Sequence, residues 1–257
     1  MAVESVMMQR PIRVSVLNTP VDCVDMAAAL RYVDDAIQNA KQPATILAVN
    51  PEKVYAIRDN AFLQDFFQRA GLLLPDGIGI VYALRLQGQR VARVAGADLM
   101  PMICALAAEK GYKIFIYGSS EAVNREAVER LNTRYPGIRI VGRSNGYRQS
   151  TEMDDLVAHI NRSEAEILFV ALGSPRQEQW MFEHLDRLST VKVCQGIGGT
   201  LDTIVGTVKR APLFMQRLHL EWLFRLFQQP SRAGRQLWLV RFIWEVARDR
   251  MRTVGRD

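Results

Sequence analysis

Pro75, Asp76 and Gly77 interrupt the apolar run of "GLLLPDGIGIV" (71–81), placing one carboxylate directly after three leucines. Pro fixes φ, Asp bonds to its local backbone and Gly tolerates strained dihedrals, so the stretch reads as a buried strand closing in a turn. Asp76 then has two readings. It can be the turn or N-cap residue of a helix starting near Ile78, or a general base at a strand's carboxyl end, where glycines let a ligand come close. "AVNPEKV" sets Asn50 in the same kind of place, either as an N-cap ahead of Pro51 or as an amide whose donor and acceptor bind a sugar hydroxyl. In "ALGSPRQEQWM", Gly173, Ser174 and Pro175 open a helix whose unpaired N–H groups attract phosphate. Arg176, Gln177, Glu178 and Gln179 follow, concentrating polarity where a helix should bury one face. "IFIYGSSEAV" and "GIGGTLD" add Gly118, Ser119 and Ser120, then Gly196, Gly198, Gly199 and Asp202. Each glycine run alone is a tight turn; together they make several ligand-ready loops along one edge.

Absent patterns narrow the chemistry. The glycine runs starting at Gly77 and Gly196 carry Tyr82 and Leu201 where the dinucleotide fingerprint needs its last small residue, which argues against a nicotinamide dehydrogenase. His159, His184 and His219 lack metal-ligand spacing, and no Asp-x-Asp is present to hold a divalent ion under a diphosphate. No G-x-S-x-G elbow and no P-loop occurs. No cofactor is expected from these motifs, and any phosphate bound here would be met by backbone amides and arginines.

Loops of this kind need strands behind them. Strand-like runs lie at 12–17, 45–49, 72–74, 113–117, 138–141, 167–172 and 191–197, most of them β-branched or continuously apolar. Helix-like stretches at 24–41, 52–69, 97–110, 121–134, 152–163 and 176–188 alternate with them. That alternation predicts an α/β fold: a mainly parallel wound sheet flanked by helices, a Rossmann-like core.

The 257 residues are 49% hydrophobic, enough to fill a large core. Neither a signal sequence nor about 18 consecutive apolar residues is present, so a soluble or peripheral protein is expected. Three scattered cysteines in apolar surroundings fit a reducing cytosol rather than a disulfide or zinc framework. Charge is unevenly spread: residues 206–257 hold 11 Lys plus Arg against 4 Asp plus Glu, or +7 of the net +6, leaving −1 for the rest. Three of the four tryptophans, Trp222, Trp238 and Trp244, lie in the same tail. Two arginine-studded helical segments are expected there, split near Pro230 and Gly234. They are either ordinary helices packed on the core or an amphipathic anchor with Trp at the interface and Arg at anionic head groups. No nucleic-acid recognition motif accompanies the charge, so nucleic acid is not an expected partner.

In combination, "VNPEKV", "LLLPDGIGIV", "GADLM", "IFIYGSS", "ALGSPRQEQWM", "GIGGTLDTIVGTVKRAP" and "LEWLFRLFQQPSRAGR" resemble the WecG/TagA/CpsF family of bacterial glycosyltransferases, in order from about residue 46 to 235. The resemblance implies an inverting, metal-independent transferase. Such an enzyme moves a sugar from a UDP-sugar to a polyprenyl-diphosphate-linked acceptor at the cytoplasmic face of the membrane, in cell-surface or exopolysaccharide synthesis. It implies Asp76 as catalytic base and Asn50, Gln177, Arg225, Arg232 and Arg235 as substrate-binding residues. Asp98, Gly118, Ser119, Gly173, Gly198 and Asp202 fall in further substrate or phosphate loops, and Arg176 and Arg143 are candidates by neighbourhood for an acidic sugar. Residues 1–205 would form the catalytic core and 206–257 a basic, membrane-associating helical appendage that completes the site. Ala48 departs from the family, which often has Thr there, so a pocket hydroxyl is missing. A catalytically inactive module binding sugar nucleotide or lipid phosphate is the alternative, and the tail's apolar faces would favour self-association away from membrane.

Overall fold

A computed structural model describes residues 11–208, 211–212, 215, 224 and 241–249. Six parallel strands, β3 (Ala44–Val49), β4 (Leu72–Pro75), β5 (Lys113–Gly118), β6 (Arg139–Ser144), β7 (Ile167–Ala171) and β8 (Val193–Gly196), form one sheet in the order β4-β3-β8-β7-β5-β6. The chain builds toward one edge with β3 and β4, toward the other with β5 and β6, then fills the centre with β7 and β8. The carboxyl ends of β3, β8 and β7 therefore stand side by side at the reversal of strand order, where open α/β sheets bind ligands.

Helices cover both faces, which is why the central strands read as unbroken apolar runs rather than alternating ones. On one face lie α1 (Met26–Asn39), α5 (Gly96–Lys110), α6 (Glu121–Arg134) and the short α9 (Thr200–Val205), packed with Ile46, Leu74, Ile116, Phe169 and Val193. On the other lie α2 (Pro51–Arg58), α3 (Ala61–Arg69), α4 (Ile78–Leu86), α7 (Met153–Arg162) and α8 (Arg176–His184), packed with Leu47, Leu73, Phe115, Leu168 and Cys194. The α/β wound fold expected from the sequence is the fold observed.

Three local expectations change. The run at 12–17 is not a strand of the main sheet: β1 (Arg13–Val16) pairs antiparallel with β2 (Thr19–Asp22), a strand not read from the sequence. Leu17 and Asn18 between them both have positive φ, the mark of a two-residue hairpin turn. Asp22 fastens this hairpin to the core, its carboxylate gripping the Arg13 guanidinium at 2.7 Å and accepting the Leu73 N–H at 2.7 Å. The stretch 52–69 is two helices, because α2 closes at Asp59 and Asn60 caps the next by accepting the Leu63 N–H at 3.2 Å. The stretch 176–188 stays α-helical only to His184 and finishes as a 3-10 turn.

Of the tail, residues 241–249 form a helix, α10, seated on α2. Phe242 and Val246 are buried in the core beside α2 and α4, while Arg58 pairs with Glu245 at 2.9 Å and Arg241 with the same carboxylate at 2.7 Å. Both guanidiniums lie over the Tyr55 ring, at 4.6 and 5.2 Å from its centroid. Ile243 and Trp244 face outward, Trp244 59% exposed with the Arg248 guanidinium 5.2 Å from its ring.

Candidate active site

At the ends of β3 and β4, Asn50 caps α2 by accepting the Lys53 N–H at 2.8 Å, with Pro51 in the first turn. Asn50 is thus the N-cap its sequence context predicts, with its Nδ2 unbonded among the described residues. Asp76 sits beside it: the Asp76 N–H donates to the Val49 carbonyl at 2.9 Å, and a methyl group on Gly77 would stand 3.5 Å from Asn50 Cβ. The N-cap of α4 is Gly77, at φ +110 and with no side-chain cap bond, so Asp76 does not have the capping role open to it in the sequence. Its carboxylate turns instead toward Arg93, whose Nε lies 3.8 Å from Oδ1. Arg93 also reaches Asp98, at 3.8 Å, in the first turn of α5. The three side chains are partly exposed, at 28%, 17% and 36% for Asp76, Arg93 and Asp98. They make an open, cation-centred triad rather than a buried salt bridge.

On the opposite side of the same strand ends, α8 begins after Gly173, Ser174 and Pro175, with Gly173 at φ +73 and a cis peptide joining Ser174 to Pro175. Gln177 and Glu178 point inward and are buried, at 7% and 1% exposure. Gln177 lies flat on Gly196 of β8, where a Cβ would come within 2.6 Å of its Nε2. Its Oε1 accepts the Gly198 N–H at 3.0 Å. Glu178 Oε1 accepts from Gln177 Nε2 at 3.3 Å and from Lys53 Nζ at 2.8 Å, and Lys53 also donates to the Ser174 hydroxyl. Residues of the α2, α8 and β8 turns are thereby joined through one buried polar cluster.

The loops after β5, β6 and β7 form a second, adjoining group. Gly118 has φ +124, and a methyl there would stand 2.4 Å from the Ala171 carbonyl oxygen, so only glycine fits. The Ser119 N–H donates to that carbonyl at 2.9 Å, and Gly146 N–H to Ser119 O at 2.8 Å. Buried Asn124 closes the group by donating to the carbonyls of Gly118 and Ser144. Arg176 reaches the Gly146 carbonyl at 3.3 Å from the α8 side, whereas Arg143 is held by Glu121 at 2.7 Å.

The sequence model of the WecG/TagA/CpsF glycosyl transferase family matches residues 14–256, nearly the whole chain. The chain belongs to this family. A WecG/TagA/CpsF glycosyltransferase needs a sugar donor and an acceptor. The structure gathers Asn50, Asp76, Asp98, Gly173, Gln177 and Gly198 around the ends of β3, β4, β7 and β8, with Gly118 and Ser119 alongside at β5. Asp202 belongs to α9, where its carbonyl closes the helix by accepting from Gly206 N–H and Thr207 Oγ1 at 3.0 Å. Arg225, Arg232 and Arg235 lie outside the described residues. Among the described residues, no three His, Cys, Asp or Glu side chains converge as a metal site.

Sequence reading missed Arg93 and Lys53. Arg93 stands three residues before the "GADLM" stretch that was recognised, and Lys53 three residues after Asn50, so proximity to a motif was the available signal.

Proposed function

We propose that this glycosyltransferase transfers a sugar from a UDP-sugar to a polyprenyl-diphosphate-linked saccharide with inversion, using Asp76 as base. The observation that carries the reading is one partly exposed carboxylate at the end of β4, beside Asn50 and 3.8 Å from a guanidinium. An acceptor hydroxyl must lose its proton as its oxygen attacks the anomeric carbon and the bond to UDP breaks on the other face. One carboxylate at hydrogen-bond distance suffices for that, without the second, closely spaced acid of a double displacement. Arg93 is the cation that faces this carboxylate, 3.8 Å from its Oδ1. Asn50 and Gln177 bind substrate hydroxyl or phosphate groups, and Arg225, Arg232 and Arg235 neutralise the departing diphosphate in place of a metal.

The reading extends to location. Residues 1–205 are proposed as the catalytic core and 206–257 as the appendage that holds the enzyme to the inner face of the cytoplasmic membrane. The outward Ile243, Trp244 and Arg248 of α10 support this, since aromatic and cationic side chains favour the head-group region. Among the described residues no helix is long and apolar enough to cross a membrane.

The test is turnover of a panel of UDP-sugars by the full chain with a short prenyl-diphosphate-sugar acceptor, in EDTA, beside Asp76→Asn. Transfer from one donor in EDTA, falling by about 10²–10⁴ in a folded Asp76→Asn protein, is the expected result. Undiminished turnover in the variant would remove Asp76 from the chemistry, and UDP-sugar binding without any turnover would favour a non-catalytic module.

A further inference from the structure

The ion pair of Lys53 and Glu178 is almost wholly removed from water, with 10% and 1% of the side chains exposed. A pair so placed loses much of its attraction to desolvation, and apolar residues of the same volume commonly hold a fold as well or better. Stability alone is therefore a poor reason for it. Its surroundings give another. Lys53 lies on the first turn of α2, which Asn50 caps, and Glu178 on the first turn of α8. Glu178 Oε1 takes hydrogen bonds from Lys53 and from Gln177 Nε2, which leaves Gln177 Oε1 for the Gly198 N–H. A side-chain amide can turn over, exchanging donor for acceptor. Turned over here, Gln177 would set an oxygen against a carboxylate and an NH2 group against an N–H. The acceptor oxygen of Glu178 thus decides which way Gln177 faces, and the hydrogen bond from Lys53 holds that carboxylate in place.

We propose that Lys53 and Glu178 are a positioning pair that locks the Gln177 amide in one orientation and presents its remaining Nε2 hydrogen to the donor. The proposal rests on the reading of Gln177 as a substrate-binding residue. Glu178 Oε2, buried and without a hydrogen-bond partner among the described residues, fits a group retained for orientation rather than for saturation of its bonds.

The experiment compares wild type, Glu178→Gln and the double variant Lys53→Met/Glu178→Leu, each as the full chain and each with and without Gln177→Ala. Glu178→Gln leaves a buried cation unpaired and should melt markedly lower, whereas the double variant removes both charges and should recover most of that loss. Two readouts are taken on the double variant: the side-chain amide NMR signal of Gln177, and the dissociation constant for UDP. The expected signal shifts toward that of a solvent-exposed amide, UDP binding weakens about tenfold, and Gln177→Ala, costly in wild type, adds under twofold in the double background. An unmoved amide signal in the folded double variant, or a Gln177→Ala effect of equal size in both backgrounds, overturns the pair's role. A shifted signal with UDP affinity unchanged leaves the positioning intact and instead refutes Gln177 as a substrate contact.

Discussion

Arg93 Nε stands 3.8 Å from Asp76 Oδ1, and the same guanidinium stands 3.8 Å from Asp98, so one cation is shared by two carboxylates at the mouth of the site. At that separation the contact is electrostatic rather than a short hydrogen bond.

Arg93→Ala is expected to lower kcat by about 10–100-fold while moving the melting temperature little, because a partly exposed ion contact adds under about 1 kcal/mol to stability. Arg93→Lys should rescue only part of the loss, since a point charge cannot span two carboxylates as a planar fork does. Steady-state kinetics with thermal unfolding on the same samples decides it; equal kcat in wild type and Arg93→Ala would remove Arg93 from the site.

Gly196→Ala should act at a distance from its own backbone. Its new methyl would fall 2.6 Å from Gln177 Nε2 and 3.3 Å from Met181 Cε, so the flexible amide must leave its place over β8. Overpacking of this kind destabilises by about 1–3 kcal/mol. The larger expected effect is on UDP binding, through the lost contact with Gly198. Calorimetric titration beside a melting curve checks this, and unaltered UDP affinity would show that Gln177 does not touch the donor.

His184 gives the fold an acid-sensitive point. Burial, with Arg187 adding and Glu183 opposing, holds its imidazole below the ordinary value of 6.5. The folded state therefore binds this proton less readily than the unfolded chain. The stability it protects is fully present above about pH 6.5 and declines as pH falls below that toward the folded value. His184→Gln should flatten the fall in melting temperature between about pH 7 and 5; identical pH profiles would refute the assignment.

What could be read from sequence follows from what acts locally. Asn50, Asp76, Gly173 and Gly198 were found because turns at strand ends need particular residues, and Gly, Pro, Asn and Asp mark such places in any context. α6 was located to the residue, its Ser120 cap being a local signal. β2 was missed because "TPVD" carries neither alternation nor a β-branched run, and only the hairpin turn and its contact with β4 make it a strand. Lys53 and Arg93 were missed because a charge on a helix or loop usually faces water. Their importance arises from elements more than a hundred residues away in one case, Lys53 meeting Glu178, and from a fold that brings Asp76 and Asp98 onto one cation in the other.

The β1–β2 hairpin has a consequence for how molecules of this enzyme meet one another. β4 is an edge strand, and "LLLP" is as apolar an edge as a sheet can present. An uncovered edge of that kind recruits strands from neighbouring chains, the first step toward aggregation. Here the Asp22 carboxylate occupies the Leu73 N–H, and the hairpin beside it stands where another chain would pair. The opposite edge, β6, manages with Arg139 and Arg143 along its length. Both edges of the sheet are thereby guarded against strand pairing: one carries two arginines, and the other is occupied by the chain's own hairpin.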